Sequence, residues 1–160
     1  MNWNEFKGSA SEIAGIAEEQ FAGAGIAMLA TIRRDGSPRI SPCEVYIVDG
    51  ELLLGMMWHS KKALDLLRDS RIAVHTPTAN RAWPGGDAKI YGKARVVSDP
   101  VLRRRHADAQ QAAIGWRPSE PYHLFAVDIE SAGYISFGES RRLLRWTAVA
   151  GSEELRHPDD

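Results

Sequence analysis

The chain has 160 residues, of which 44% are hydrophobic, and its formal net charge is −1. This length fits one ordinary globular domain, and the balanced charge argues against partners held by a strong bulk field, such as nucleic acid or an anionic membrane. The single cysteine, Cys43, excludes an internal disulfide and fits a reducing cytoplasm, and no apolar run approaches the ~20 residues of a membrane span. We therefore expect one cytoplasmic domain, residues 1–160, without a signal peptide.

The N-terminal region is predicted to be helical over residues 1–23. Ser9 and Glu12 have the spacing of a capping box, and Ile13, Ile16 and Phe21 then recur at helical intervals. Glycines after this stretch end the helix, and the apolar run IAMLATIR that follows predicts a strand.

The next stretch predicts a β-hairpin. Asp49-Gly50 lies between two apolar runs, and this dipeptide favours a two-residue type I′ turn. The turn sets a register that we extend along both strands, with the pairs Val48/Glu51, Val45/Leu54, Cys43/Met56, Ser41/Trp58 and Arg39/Ser60. Prolines 38 and 42 indicate that part of the first strand is an edge or is bulged.

The open end of this hairpin predicts an anion site. Arg39 and Ser60 are expected to lie close to Lys61 and Lys62, where the second strand passes into a helix. Basic side chains and helix N-terminal amides together favour a phosphate. The same hairpin face carries Ser41, Met56 and Trp58, a surface suited to a planar ring, so the pattern indicates a nucleotide-like cofactor. The alternative is that the cations are solvated surface and Ser60 is only a helix N-cap.

The rest of the chain predicts short strands and two further helices. The predicted helices are Lys61–Asp69 and Pro100–Ile114, and the predicted strands are Ile72–His75, Ala88–Ser98, Tyr122–Ile129, Gly133–Phe137 and Leu143–Val149. Pro77–Asp87 is expected to be a loop bordering a site, and Gly151–Asp160 a frayed tail. Six to eight short strands joined by hairpins close most simply into a small antiparallel barrel.

Motifs of several other chemistries are missing. The five histidines show no zinc-ligand spacing, and we expect no metal. The sequence contains no G-x-S-x-G elbow, Walker loop or G-x-G-x-x-G after a strand, so it indicates no nucleophilic hydrolase and assigns no catalytic residue.

The order and spacing of several short motifs resemble one known family. These are Arg39-Ile40-Ser41, Ser60-Lys61-Lys62-Ala63 with Leu66-Leu67, Arg71-Ile72-Ala73-Val74 and Gly92-Lys93-Ala94. Over roughly Ala24 to Arg145, the chain resembles the pyridoxamine 5′-phosphate oxidase-like proteins, the FMN-binding split-barrel superfamily that includes the flavin/deazaflavin oxidoreductases.

The resemblance implies a mainly β split barrel that forms a homodimer with FMN at the interface. It implies that Arg39, Ser60, Lys61 and Lys62 hold the FMN phosphate, with Met56, Met57 and Trp58 beside the ring. Asp87 and Lys89 match the region that reaches the flavin edge, although Asp87 replaces an amide of the oxidase.

The substrate residues of the oxidase are matched only in part. Arg141 and Arg145 match its two C-terminal arginines, but Leu143 stands at the position of its histidine, and Glu44 replaces a lysine on the first cofactor strand. We therefore expect an FMN-dependent oxidoreductase whose small-molecule substrate is not pyridoxamine phosphate. Arg141 and Arg145 either contact an anionic ligand or are surface charges.

Two alternatives remain open. The first is a reductase that uses the deazaflavin F-420, whose polyanionic tail would suit the cations Lys61, Lys62, Arg81 and Arg141. The second is a flavin- or haem-binding protein without turnover, in which His59 or His75 offers an axial ligand.

Overall fold

A computed structural model describes residues 1–78, 85–139 and 141–160. Its N-terminal segment forms two helices, α1 (Trp3–Ser9) and α2 (Ser11–Ala24), rather than one. The capping box predicted at Ser9 and Glu12 is wrong, because Ala10 occupies the N-cap of α2 and makes no side-chain cap. The capping box instead opens α1, where Asn2 and Glu5 each accept the other's backbone N–H at 2.9 Å. Gly25 ends α2 in the left-handed conformation, as glycine permits.

Eight strands form one antiparallel sheet that closes into a barrel. Along the chain the remaining elements are β1 (Ile26–Ile32), β2 (Pro38–Val48), β3 (Glu51–Met57), α3 (Lys61–Arg68), β4 (Arg71–His75), β5 (Asp87–Val96), α4 (Pro100–Ile114), β6 (Tyr122–Ile135), β7 (Leu143–Thr147) and β8 (Gly151–Leu155). The strand order is β3-β2-β1-β4-β5-β6-β7-β8, and β3 also pairs with β6. Strands β1 to β6 therefore make the closed barrel, with β7 and β8 added at β6, which confirms the predicted fold class.

The β2–β3 hairpin has the predicted register near its turn. Asp49 and Gly50 have φ of 52° and 78°, as a type I′ turn requires, and the ladder runs from Val48/Glu51 to Val45/Leu54. Beyond that point β2 pairs with β1 and β3 pairs with β6, so the three outer pairs predicted for the hairpin do not form a ladder. Pro42 has no N–H to offer β3. The two strands separate there, and the barrel splits.

The C-terminal third is more regular than its sequence indicated. The two strands predicted over Tyr122–Ile129 and Gly133–Phe137 form the single strand β6, because the chain stays extended through a register shift opposite Tyr91 and Gly92. The tail expected to fray instead supplies β8, and beyond it His157 is buried, with its Nε2 atom 3.1 Å from the Ser136 carbonyl.

Two apolar clusters hold the fold. The larger fills the barrel and extends to α1 and α2, where the Phe6 and Trp146 rings meet edge to face with centroids 4.9 Å apart. The smaller joins Leu53, Tyr122 and Leu124 to Val97 and is covered by Leu102 of α4. Within the described residues, no helix combines the length and hydropathy needed to cross a membrane.

Candidate functional site

One outer face of the barrel, formed by β2, β1, β4 and β5, presents apolar side chains to solvent. The ladder registers place Ile40, Ala30, Ala73 and Tyr91 side by side across these strands, and Ile40 is 71% exposed. A parallel row contains Pro42, Met28, His75 and Lys89. Because directly opposed residues of an antiparallel ladder point to the same side, both rows share this surface. We call it the outer face. It carries a shallow depression of about 370 Å³.

Helix α3 brings several of the predicted cations to the edge of β2. Lys62 Nζ donates a hydrogen bond to the Pro42 carbonyl at 2.6 Å, across the opening that the split leaves between β2 and β3. Lys61 is exposed at the first position of the helix. Ser60 occupies the N-cap position without capping, and its Oγ atom is buried with no hydrogen-bond partner among the described residues. A buried hydroxyl without a partner costs free energy, so this end of α3 has an unmet polar requirement.

Arg39 reaches the same helix one turn further along. Its Nε donates to Asp65 Oδ2 at 2.6 Å, and the Thr31 hydroxyl donates to the same oxygen at 3.1 Å. Burial acts to raise the pKa of the Asp65 carboxyl, but the hydrogen bonds from Arg39 and Thr31 outweigh it and hold that pKa below its usual value. The Arg39 side chain is 23% exposed, and its terminal nitrogens make no hydrogen bond to any described residue. The ladder pairs Arg39 with buried Thr31, so Arg39 leaves β2 on the side opposite to Ile40 and meets α3 rather than the outer face.

The residues predicted to flank a ring take different places. Met56 lies in the barrel core at 4% exposure, and Ser41 pairs with Leu29 on the inner side of the sheet. Met57 is 77% exposed, on the surface at the end of β3. Trp58 stacks on His123, with ring centroids 4.3 Å apart and an angle of 15° between the planes.

His59 and His123 flank Trp58 on two sides. The His59 ring meets the indole edge to face at 5.1 Å, and its backbone has φ of 65°, a left-handed conformation unusual for a residue other than glycine. Burial, with a smaller contribution from His59, lowers the pKa of His123. The Nε2 atom of His123 is buried without a partner among the described residues.

A second polar group lies across the outer face from α3. Asp87 contacts Lys89 in an ion pair, and His75 Nε2 is 3.4 Å from Asp87 Oδ1. The His75 Nδ1 atom is 2.6 Å from the Thr76 carbonyl, so both ring nitrogens face acceptors. The row containing Lys89 continues through Gly133 to Arg145, two strands away.

The two C-terminal arginines are both engaged in ion pairs. Arg145 is 2.5 Å from Glu153, and Arg141 is 2.5 Å from Asp160. Glu44, which stands where the oxidase has a lysine, accepts a hydrogen bond from Gln110 of α4. Arg81 lies outside the described residues, as does most of the loop predicted over Pro77–Asp87.

The dimensions of the outer face suit an elongated molecule. Pro42 and Lys89 are separated by three strand spacings, or about 14 Å. One end of that span has the cations of α3, the middle is apolar, and the far end has Asp87, His75 and Lys89. Such a surface can hold an anion, a planar apolar body and a polar edge in that order.

Sequence reasoning missed the residues that form the middle of this surface. Met28, Ile40 and Tyr91 were assigned only to strands, and Asp65 only to a helix. The sequence does carry a signal for Met28 and Ile40. Successive side chains of β1 and β2 point to opposite sides, and each strand has apolar residues on both sides, which predicts a second apolar surface outside the core. No such signal existed for Asp65, whose partners come from other elements. Among the described residues, no group of three or more His, Cys, Asp or Glu side chains is arranged to hold a metal ion.

Comparisons with known proteins agree with this architecture. The model of the pyridoxamine 5′-phosphate oxidase family matches residues 16–136. A comparison with curated proteins finds no match.

Three solved structures illustrate the likeness. A haem-binding protein from Mycobacterium smegmatis is 21% identical with a TM-score of 0.62 and is matched over 82% of this chain and 57% of its own. A pyridoxamine 5′-phosphate oxidase-related, FMN-binding protein from Nostoc punctiforme is 14% identical with a TM-score of 0.68. The match covers 95% of this chain and 97% of the Nostoc protein. PhzG from Burkholderia lata, in complex with tetrahydrophenazine-1-carboxylic acid, is 13% identical with a TM-score of 0.67, over 96% of both chains. The chain thus spans little more than half of the haem-binding protein, and identities this low show a shared fold alone.

Proposed function

We propose that this chain, which belongs to the pyridoxamine 5′-phosphate oxidase family, is an FMN-dependent oxidoreductase acting on a small molecule other than pyridoxamine phosphate. The observation that carries the proposal is the order of chemistry along the outer face. Cations at α3, an apolar depression and a polar group at Lys89 follow one another over about 14 Å. FMN has the same order: a phosphate, a flat ring system and a polar ring edge.

The residues at α3 fit a phosphate. Lys61 and Lys62 supply charge, and the terminal nitrogens of Arg39 supply a fork that matches phosphate oxygens. The Ser60 hydroxyl has no partner among the described residues, and rotation about its χ1 angle can turn it toward a bound oxygen. A phosphate would therefore satisfy the polar atom that the fold leaves unpaired.

In this proposal the protein binds, orients and shields, and the flavin supplies the hydride-transfer chemistry when bound. Met28, Ile40 and Tyr91 provide the apolar floor against which a flat ring rests. Lys89 offers hydrogen-bond donors at the far edge, where Asp87 holds it in an ion pair. The open side of the ring is left for a substrate.

A second copy of the chain would complete the site. Ile40 and Tyr91 expose apolar area beside the depression, and such a patch commonly marks an interface. We propose a homodimer that covers the outer face and encloses a cofactor at the interface. Exclusion of water would strengthen the contacts of Lys62 and Arg39 to a phosphate, because charges interact more strongly at low dielectric.

The C-terminal arginines argue against pyridoxamine phosphate as the substrate. Arg141 and Arg145 are paired with Asp160 and Glu153, and Leu143 offers no proton-carrying group between them. A second phosphate would have to break both ion pairs. We therefore favour a substrate without a phosphate group.

Haem is the second candidate ligand. His75 lies at the apolar depression, and its imidazole could serve as an axial ligand if its Nε2 atom turned away from Asp87. The M. smegmatis protein of similar fold is a haem-binding protein. F-420 is a third ligand to compare with FMN, because Lys61 and Lys62 would also suit its anionic tail.

The absorption spectrum of the purified protein, followed by titration with FMN, F-420 and haem, tests the proposal. Flavin bands or saturable FMN binding, with reduction of the bound flavin by NADPH, would support it. A Soret band without flavin binding would favour haem, and tighter binding of F-420 than of FMN would favour the deazaflavin. Binding of none of the three would refute a cofactor role for this face.

A further inference from the structure

Asp65 is a buried carboxylate beside a proposed phosphate site. Its side chain is 6% exposed and lies in the middle of α3. Three side chains surround it: Arg39 at 2.6 Å, Thr31 at 3.1 Å and Arg68 at 3.4 Å. Its negative charge has the wrong sign for direct contact with a phosphate, so any role in binding must act through a neighbour.

The neighbour that matters is Arg39. Asp65 Oδ2 accepts a hydrogen bond from Arg39 Nε, on one edge of the planar guanidinium. The terminal amino group on the opposite edge of the guanidinium faces away from Asp65. The hydroxyl of Thr31, whose residue pairs with Arg39 in the β1–β2 ladder, fixes the same carboxylate oxygen. The guanidinium is therefore held by a carboxylate that is itself held by the barrel.

The other carboxylate oxygen is committed elsewhere. Arg68 contacts Asp65 Oδ1 at 3.4 Å and also donates to the Ile32 carbonyl. One carboxylate thus sits between two guanidinium groups, and the local charge remains positive. An incoming anion does not have to displace Asp65 to reach Arg39.

We infer that Asp65 is a positioning residue that orients the Arg39 guanidinium toward the phosphate of the cofactor. This inference rests on the proposed function. The opposite account treats Asp65 as an anion that competes with the phosphate for Arg39. The two accounts predict effects of opposite sign when the charge of Asp65 is removed, because loss of orientation weakens phosphate binding whereas loss of a competing charge strengthens it.

The test compares FMN with riboflavin, which lacks the phosphate, on four proteins: wild type, Asp65→Asn, Thr31→Val and Asp69→Asn. Dissociation constants are measured by flavin fluorescence at one ionic strength, with circular dichroism to check the fold. Asp69→Asn is the matched control, since Asp69 caps the C-terminal end of α3 and pairs with an arginine, Arg71, but not with Arg39. We expect Asp65→Asn to weaken FMN binding about tenfold, the worth of one charge-assisted hydrogen bond, and Thr31→Val about threefold. Riboflavin affinity should stay within about twofold, and Asp69→Asn should match the wild type.

Each other outcome overturns the inference in a distinguishable way. Unchanged or tighter FMN binding by Asp65→Asn would identify a competing anion. Equal weakening of FMN and riboflavin would show a merely structural residue. If Asp65→Asn does not fold, Thr31→Val decides, and wild-type FMN affinity in that variant would contradict positioning. A wild-type protein that binds riboflavin and FMN equally, or neither, would overturn the phosphate site itself and the inference with it.

Discussion

Lys62 Nζ donates to the carbonyl of Pro42 at 2.6 Å, across the opening where β2 leaves β3. Because Pro42 offers no N–H for a ladder, this edge of β2 is free to accept a side chain instead. Three residues along the helix, Asp65 makes a second contact to β2 through Arg39. Helix α3 is thereby fixed to β2 by two polar contacts, one through Lys62 and one through Arg39.

Removing both of those cations should abolish tight FMN binding. We expect Arg39→Ala with Lys62→Ala to weaken FMN binding about a hundredfold or more, since two charge-assisted hydrogen bonds to a phosphate are lost. Isothermal titration with FMN measures the loss. The control is Lys7→Ala with Arg105→Ala, which removes the same charge from ion pairs with Glu18 and Asp49 elsewhere on the surface. Wild-type FMN affinity in the Arg39/Lys62 variant would remove the phosphate assignment.

A charge on the outer face should disrupt the proposed dimer. Ile40 is 71% exposed on that face, and Ile40→Glu would place a carboxylate in an apolar interface at a cost of several kcal/mol. Light scattering after size exclusion is expected to show a wild-type dimer and a monomeric variant. Val149→Glu is the control, because Val149 is 99% exposed in the turn between β7 and β8. A monomeric wild type, or an Ile40→Glu dimer, would contradict the proposed interface.

His106 should make the fold sensitive to mild acid. Burial, helped by the charge of Arg103, lowers the pKa of His106 from its usual value to about 4. Above about pH 6.5 the ring is neutral in both the folded and the unfolded chain, and it has no effect on pH dependence. Below that pH the unfolded chain takes up a proton that the folded chain refuses, so the free energy of unfolding falls as pH falls, by about 2 kcal/mol at about pH 5.

Urea unfolding between about pH 7.5 and about pH 5 measures this effect. The variant His106→Gln should lose the His106 share of the pH dependence, about 2 kcal/mol over that range, whatever its overall stability. His123, whose pKa burial also lowers, remains in both proteins and contributes equally to each. An identical pH dependence in variant and wild type would show that His106 takes up its proton without cost in the folded state.

Cys43 should be inert in the folded protein. Burial raises the pKa of its thiol to about 11, and its Sγ atom is 3.3 Å from the Gly55 carbonyl. The reactive thiolate is then about a hundredfold rarer than for a free cysteine at neutral pH. Alkylation by iodoacetamide, followed by mass spectrometry, is expected to be slow in buffer and rapid in urea. Equal rates in the two conditions would mean that Cys43 is accessible in the native state.

Local chemistry made much of the fold predictable. The Asp49-Gly50 turn set the hairpin register correctly as far as Val45/Leu54, and the helix predicted over Pro100–Ile114 is α4. The register failed further out because β3 turns to β6, a partner far along the chain whose choice no local pattern records. The same limit explains why two predicted strands form β6, since pairing to β5 keeps the chain extended through the bulge.

Some residues of the candidate site were also predictable from the sequence, and others depend on contacts between distant elements. The cations of Lys61 and Lys62 were found from their place before a helix, and Lys89 from family likeness. Asp65 could not be found, because it acquires its role from Arg39 of β2. His75 was named only as a possible haem ligand, because its contact with Asp87 of β5 is not written in the local sequence. Met56 was assigned to a ring surface because side-chain alternation put it on the same hairpin face as Ser41 and Trp58. In the closed barrel, the Met56 side chain points into the core.

The most direct test of a cofactor site on this face is a crystal structure of the protein grown with FMN. We expect the phosphate within hydrogen-bond distance of Ser60, Lys62 and Arg39, and the ring over Met28, Ile40 and Tyr91 with a second copy of the chain closing over it. A flavin bound elsewhere, or a phosphate that contacts neither Arg39 nor Lys62, would contradict the site proposed for this protein.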